Sequence, residues 1–93
     1  MGKLEKARLR IEWMRRNKGS VKWRHVTELL GWLGFDCVRQ RGSHTYWVHP
    51  ALENEEDPSV LVKPHNKNDT MTAFDVKTCV SMAQDVIGRE ESR

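Results

Sequence analysis

Apolar residues along this chain change their period twice, and the changes divide it into elements. Leu4, Ala7, Ile11 and Met14 recur at spacings of 3, 4 and 3, a narrow stripe that predicts a helix over residues 3–17. Lys6, Arg8, Arg10, Arg15 and Arg16 crowd the rest of its surface. In Lys18-Gly19-Ser20, Gly19 suits a left-handed helix end and Ser20 an N-cap. A second helix runs from about Val21 to Leu33, with Trp23, Val26, Leu30 and Leu33 on one face, Leu29 widening it and Gly34 closing it. The period then drops to two. Phe35 to Arg41 reads as a strand, with Phe35 and Cys37 on one side and Asp36, Val38 and Gln40 on the other. Arg41-Gly42 supplies the turn. Ser43 to His49 returns with His44, Tyr46 and Val48 on one face and Thr45, Trp47 and His49 opposite. Pro50 stops this strand.

An acidic loop follows at 51–58, then a short third strand from Ser59 to Lys63 and a polar loop from Pro64 to Asp69. The helical period returns at Thr72, which stands at capping-box spacing from Asp75. Ala73, Val76, Val80, Ala83 and Ile87 form the last stripe, and Gly88 suits its C-terminal end. This order predicts a small single α+β domain, α-β-β-β-α, with a three-stranded antiparallel sheet covered by helices on one face. An extra N-terminal helix precedes it. The expected organisation is a basic helical extension at 1–19, the main domain at 20–88 and a frayed tail at 89–93.

A length of 93 residues suits one core. No apolar run approaches the length of a membrane span, and Met1-Gly2-Lys3-Leu4-Glu5-Lys6 has no apolar signal core. Residence in the cytoplasm is the expectation. Cys37 and Cys79 stand in no metal-type pair and read as two small buried hydrophobes.

The net charge of +3 hides an asymmetry: residues 1–41 carry +7 and residues 42–93 carry −4. A basic half suggests an anionic partner, although helix faces solvated by lysine and arginine would read the same way. The hairpin sharpens the choice. Arg39 and Arg41 precede Gly42-Ser43-His44, so a histidine opens the return strand beside cationic side chains. Imidazole both takes and gives a proton near neutral pH. Beside cations, the natural substrate is a phosphodiester.

A helix ending in Leu33-Gly34-Phe35, then Val38-Arg39-Gln40-Arg41-Gly42-Ser43-His44, an aromatic strand to His49-Pro50, Lys63-Pro64-His65 and a closing helix together resemble the HicA-type mRNA interferase toxins. The resemblance covers roughly residues 20–88. It implies a fold like the double-stranded RNA-binding domain, ribonuclease activity on mRNA, and control by a HicB-type antitoxin that covers the active site. It places the catalytic histidine at His44. The chain departs from the simplest members in its residues 1–19 and in Asn66-Lys67-Asn68-Asp69, where a more basic or glycine-containing loop is common.

RNA carries its own nucleophile in the 2′-hydroxyl, so a general base, fixed cations and a proton for the leaving oxygen suffice. His44 is the expected acid or base. His65 is the candidate second group, ahead of Tyr46, since a phenol ordinarily titrates at about 10. Arg39, Arg41, Gly42, Ser43, Lys63 and Lys67 are the expected RNA contacts, arginine's planar fork matching phosphate oxygens. No metal, cofactor or small-molecule ligand is expected: His44 and His49 should face opposite ways on one strand. His49 reads as structural, His25 as a solvated helix residue, and Trp47 as a core filler. Two rival readings use the same residues. One is a non-catalytic RNA-binding module, and the other a protein-interaction subunit docking through residues 3–17.

Overall fold

The computed structural model describes residues 1–66 and 68–92. Its elements are α1 (Lys3–Arg16), a 3₁₀ turn (Lys18–Ser20), α2 (Trp23–Leu33), β1 (Asp36–Arg41), β2 (His44–Val48), a second 3₁₀ turn (Pro50–Leu52), β3 (Ser59–Val62) and α3 (Ala73–Glu91). The strands form one antiparallel sheet in the order β1-β2-β3, with the helices on one face. The architecture is the expected α+β order.

The core lies between sheet and helices. Val26, Leu29 and Leu30 of α2 and Cys79, Ala83 and Val86 of α3 have no exposed surface, and Trp47 and Leu61 meet them from the sheet. Each fully buried valine or leucine contributes about 1.5–3 kcal/mol relative to an exposed one. Helix α1 shares this core. Ala7, Ile11 and Met14 are buried against α2 and α3, whereas Leu4 of the predicted stripe stays 40% exposed at the first turn.

Two helix ends follow the sequence signals. Gly34 closes α2 at φ +89°, and Phe35 N–H donates back to Leu30 O at 2.9 Å, the Schellman pattern. Thr72 caps α3 by accepting from Asp75 N–H at 3.2 Å.

Two others do not. Asn17, not Gly19, ends α1: its backbone and side-chain N–H groups both donate to Trp13 O, at 2.9 and 2.8 Å. Ser20 does not cap α2. Val21 is fully buried and its carbonyl accepts from Met71 N–H at 2.7 Å, while Lys22 bridges Thr70. That extended tie delays the helix to Trp23, with His25 Nδ1 accepting from Lys22 N–H at 2.9 Å. At the other end, α3 runs through Gly88 to Glu91. Its last turn is held from outside, by Arg8 on Glu91 at 2.6 Å and by Arg89 donating to Ala51 O at 3.1 Å.

Candidate active site

The site is built on the open face of the sheet. Two buried polar contacts on the covered face fix β2. Thr45 Oγ1 donates to Leu61 O at 2.7 Å and accepts from Trp47 Nε1 at 2.8 Å. Side chains alternate along a strand, so this places His44, Tyr46 and Val48 on the opposite, open face. His44 is exposed, while Thr45 and Trp47 are buried. The expected division of β2 between its two faces holds.

Pairing brings the neighbours in. His44 stands between Arg41 on one side and Val62 on the other, making one row across the sheet. Arg39, Tyr46 and Val60 make the next row. Residues opposite each other share a face. The Arg39 guanidinium lies 4.2 Å from the centre of the Tyr46 ring, a cation–π contact that holds it beside His44's row.

Strict alternation from Phe35 and Cys37 would have sent Arg39 and Arg41 to the covered face. The pairing slips between Cys37 and Arg39. This β-bulge leaves one extra residue, Val38, and turns both arginines onto the face of His44. Val38 is 56% exposed there.

Cys37 is also exposed, contrary to the expectation of two buried thiols. All six residues of β1 are exposed, because the helical cover reaches β2 and β3 but not this edge strand. The Cys37 thiol donates to Arg39 O at 3.4 Å. Cys79 is buried as expected, and burial pushes its thiol up to about 12.

The hairpin turn is fastened on both sides. Gly42 sits at φ +57°, a conformation that strains residues bearing a Cβ. Gln40 Nε2 donates to Gly42 O at 3.1 Å, and Lys63 N–H donates to Ser43 O at 2.7 Å. Lys63 therefore adjoins Ser43. His65 is exposed two residues further on, in the segment that leaves the sheet at the His44 end. Lys67 lies outside the described residues.

The other histidines have local duties. His49 is buried, with Nδ1 accepting from Ala51 N–H at 3.0 Å and Nε2 against Leu33 O at 2.8 Å. Since Nδ1 accepts, Nε2 carries the proton and donates. Its structural reading stands, and it faces away from His44. His25 is not simply solvated. It is half-buried, and its ring centre lies 4.6 Å from that of Trp13. Burial first, then the charges of Arg10 and Arg24, hold its pKa below the usual imidazole value.

Asp75 does more than its spacing announced. It is buried, and besides accepting from Thr72 Oγ1 at 2.9 Å it accepts from Val62 N–H at 3.5 Å. It thus ties the first turn of α3 to the strand opposite His44. The Arg39–Tyr46 pair was likewise missed. Its sequence signal is an arginine two places before Arg41 and a tyrosine two places after His44, hidden by the bulge.

The open face can hold an anion between guanidinium groups and present it to an imidazole. The model of the family described as the HicA toxin of bacterial toxin-antitoxin systems matches residues 23–72, more than half of the chain. The matched stretch includes Arg39, Arg41, His44, Lys63 and His65. No curated protein and no solved structure matches the chain.

Proposed function

This chain belongs to the HicA toxin family of bacterial toxin–antitoxin systems, and we propose that it is a metal-independent endoribonuclease acting on mRNA through His44. The observation that carries the reading is the pair of rows on the open face, with His44 opposite Arg41 and next to the stacked Arg39–Tyr46 pair.

In the proposed reaction, phosphate oxygens of the RNA backbone lie against Arg39, Arg41 and Lys63. His44 takes the proton of the 2′-hydroxyl. The freed oxygen attacks the adjacent phosphorus and the bond to the 5′-oxygen breaks. That oxygen leaves with a proton from His65. The products are a 2′,3′-cyclic phosphate and a 5′-hydroxyl. Guanidinium groups oppose the charge that builds on the phosphorus oxygens, where fixed donors act most strongly. A placed general base contributes about 10²–10⁴-fold. The turn at Gly42-Ser43 brings backbone close to the RNA.

Residues 20–88 carry this chemistry, and residues 1–19 complete the core beneath it. A HicB-type antitoxin is the proposed partner, covering the open face and so excluding RNA. The cytoplasm, where mRNA is met, is the proposed site of action.

The 2′-hydroxyl makes the proposal testable. An RNA cut at a mapped position should resist cleavage when the nucleotide 5′ to that bond is replaced by its 2′-deoxy form, while other positions are still cut. Cleavage at the deoxy position would refute the mechanism.

A further inference from the structure

Cations of the helical layer differ in whether a carboxylate compensates them. Toward the C-terminal end of α3, Arg8 holds Glu91 at 2.6 Å and Arg89 reaches Asp85 at 3.8 Å, while Arg10 pairs with Glu28 at 3.1 Å. At the other end Arg16 pairs with Glu12, whereas Arg15, Lys18 and Lys77 take part in no ion pair among the described residues. Those three line one groove of about 560 Å³ between the last turn of α1, the first 3₁₀ turn and α3. Ala73, Val76 and Val80 also line it, and no carboxylate does among the described residues.

The Lys18 and Ala73 end of the groove is linked by contacts to the His44 end of the sheet. Val62 pairs with His44, and its N–H reaches Asp75 in the first turn of α3. Just ahead of that turn, Met71 N–H donates to Val21 O and Thr70 bridges Lys22. The hairpin end of the sheet, the start of α3 and the 3₁₀ turn are therefore successive neighbours, with Lys63 along the way.

Resting on the ribonuclease reading above, we propose that this groove is a second RNA contact, holding backbone phosphates of nucleotides that flank the scissile one. Single-stranded RNA leaving the open sheet face passes the Lys63 end and lies along Arg15, Lys18 and Lys77. An acidic peptide would match the same charges, but continuity with the His44 end favours the substrate itself. All three cations lie outside the stretch that the family model matches.

The test is equilibrium binding of single-stranded RNAs of about 5 and about 20 nucleotides, lengths near the low end of and beyond the roughly 4–16 nucleotides that a small single-strand-binding domain covers. The protein is the His44→Ala variant, with and without Arg15→Gln, Lys18→Gln and Lys77→Gln. These three are surface changes, and matching melting curves verify the fold. Each phosphate contact contributes about 0.7 to the slope of log affinity against log salt for a single strand. Loss of three should flatten that slope by about 2 for the long RNA, or about 20-fold over a fourfold rise in salt. The short RNA should bind as before. Unchanged affinity and slope for the long RNA would overturn the proposal, hand the groove to an acidic peptide and leave the ribonuclease reading standing. Equal weakening of both lengths would overturn the flanking position. Failure of the His44→Ala parent to bind either RNA would overturn the ribonuclease reading and this proposal with it.

Discussion

Replacing Thr45 with valine should loosen the strand that carries His44, and the size of the effect follows from the contacts. Thr45 is 1% exposed, and its hydroxyl donates to Leu61 O while accepting from Trp47 Nε1. Valine keeps the shape and removes both bonds. The indole N–H has a single proton to donate and no acceptor lone pair, so its loss of partner is complete. A buried donor left unpaired costs about 1–3 kcal/mol. Leu61 O loses one of its donors, a smaller cost, and the added methyl returns part of the total as apolar burial. The net should be about 2 kcal/mol. In a domain of this size each kcal/mol lowers the melting midpoint by about 4–8 °C, so a fall of about 8–16 °C is expected. Thr45→Ser keeps the hydroxyl and should fall by less. Thermal unfolding followed by circular dichroism compares the three proteins. A valine variant as stable as wild type, or a serine variant less stable than the valine variant, would refute this account of how β2 is fixed.

Three further outcomes follow. Gly42→Ala should cost about 1 kcal/mol in urea unfolding, from the left-handed backbone alone, since a Cβ there meets no heavy atom within 4 Å. A cost under a few tenths would contradict the turn geometry. Native protein at pH 8 should show one thiol reactive toward a disulfide reagent, Cys37, and two after unfolding, because Cys79 is buried with its thiol pushed up to about 12. Two reactive thiols in the native state would contradict that burial. The folded pKa of His25 lies below its unfolded value near 6.5, so its contribution is fully present above that pH. It is lost as the pH falls from there through the lower folded value, where the unfolded chain binds the extra proton. Urea midpoints should drop from pH 7.5 to 5.5, and less so in His25→Asn. An equal drop in both proteins would sink this assignment.

Much of the fold was legible because local and long-range demands agree. Gly34 ends α2 where the stripe runs out, Thr72 starts α3, and the alternation of β2 divides His44 from Thr45 and Trp47. The misses have one physical theme: a contact from a distant segment outweighed a local preference. Val21 joins the core and pairs with Met71, so Ser20 does not cap a helix. Arg8 and Ala51 hold the last turn of α3, so Gly88 does not end it. The site was half legible. The face of His44 could be read from period alone. Arg39 and Arg41 could be named from sequence but their face could not, because a bulge at Val38 adds one residue, and one residue reverses every side chain after it. Nothing in the run from Asp36 to Arg41 marks that bulge. The groove of Arg15, Lys18 and Lys77 was invisible for another reason. Lys77 lies far in sequence from Arg15 and Lys18, and only the ion pairs of Arg8, Arg10, Arg16 and Arg89 show which neighbouring cations remain uncompensated.

The central claim is that His44, on an open sheet face between arginines, drives cleavage of RNA without a metal. End-labelled single-stranded RNA incubated in excess EDTA with wild-type protein and with folded His44→Ala tests it most directly. Cleavage by the wild type alone, leaving a 2′,3′-cyclic phosphate, is the expected result. Cleavage by both proteins, or by neither when both bind the RNA equally, would contradict it.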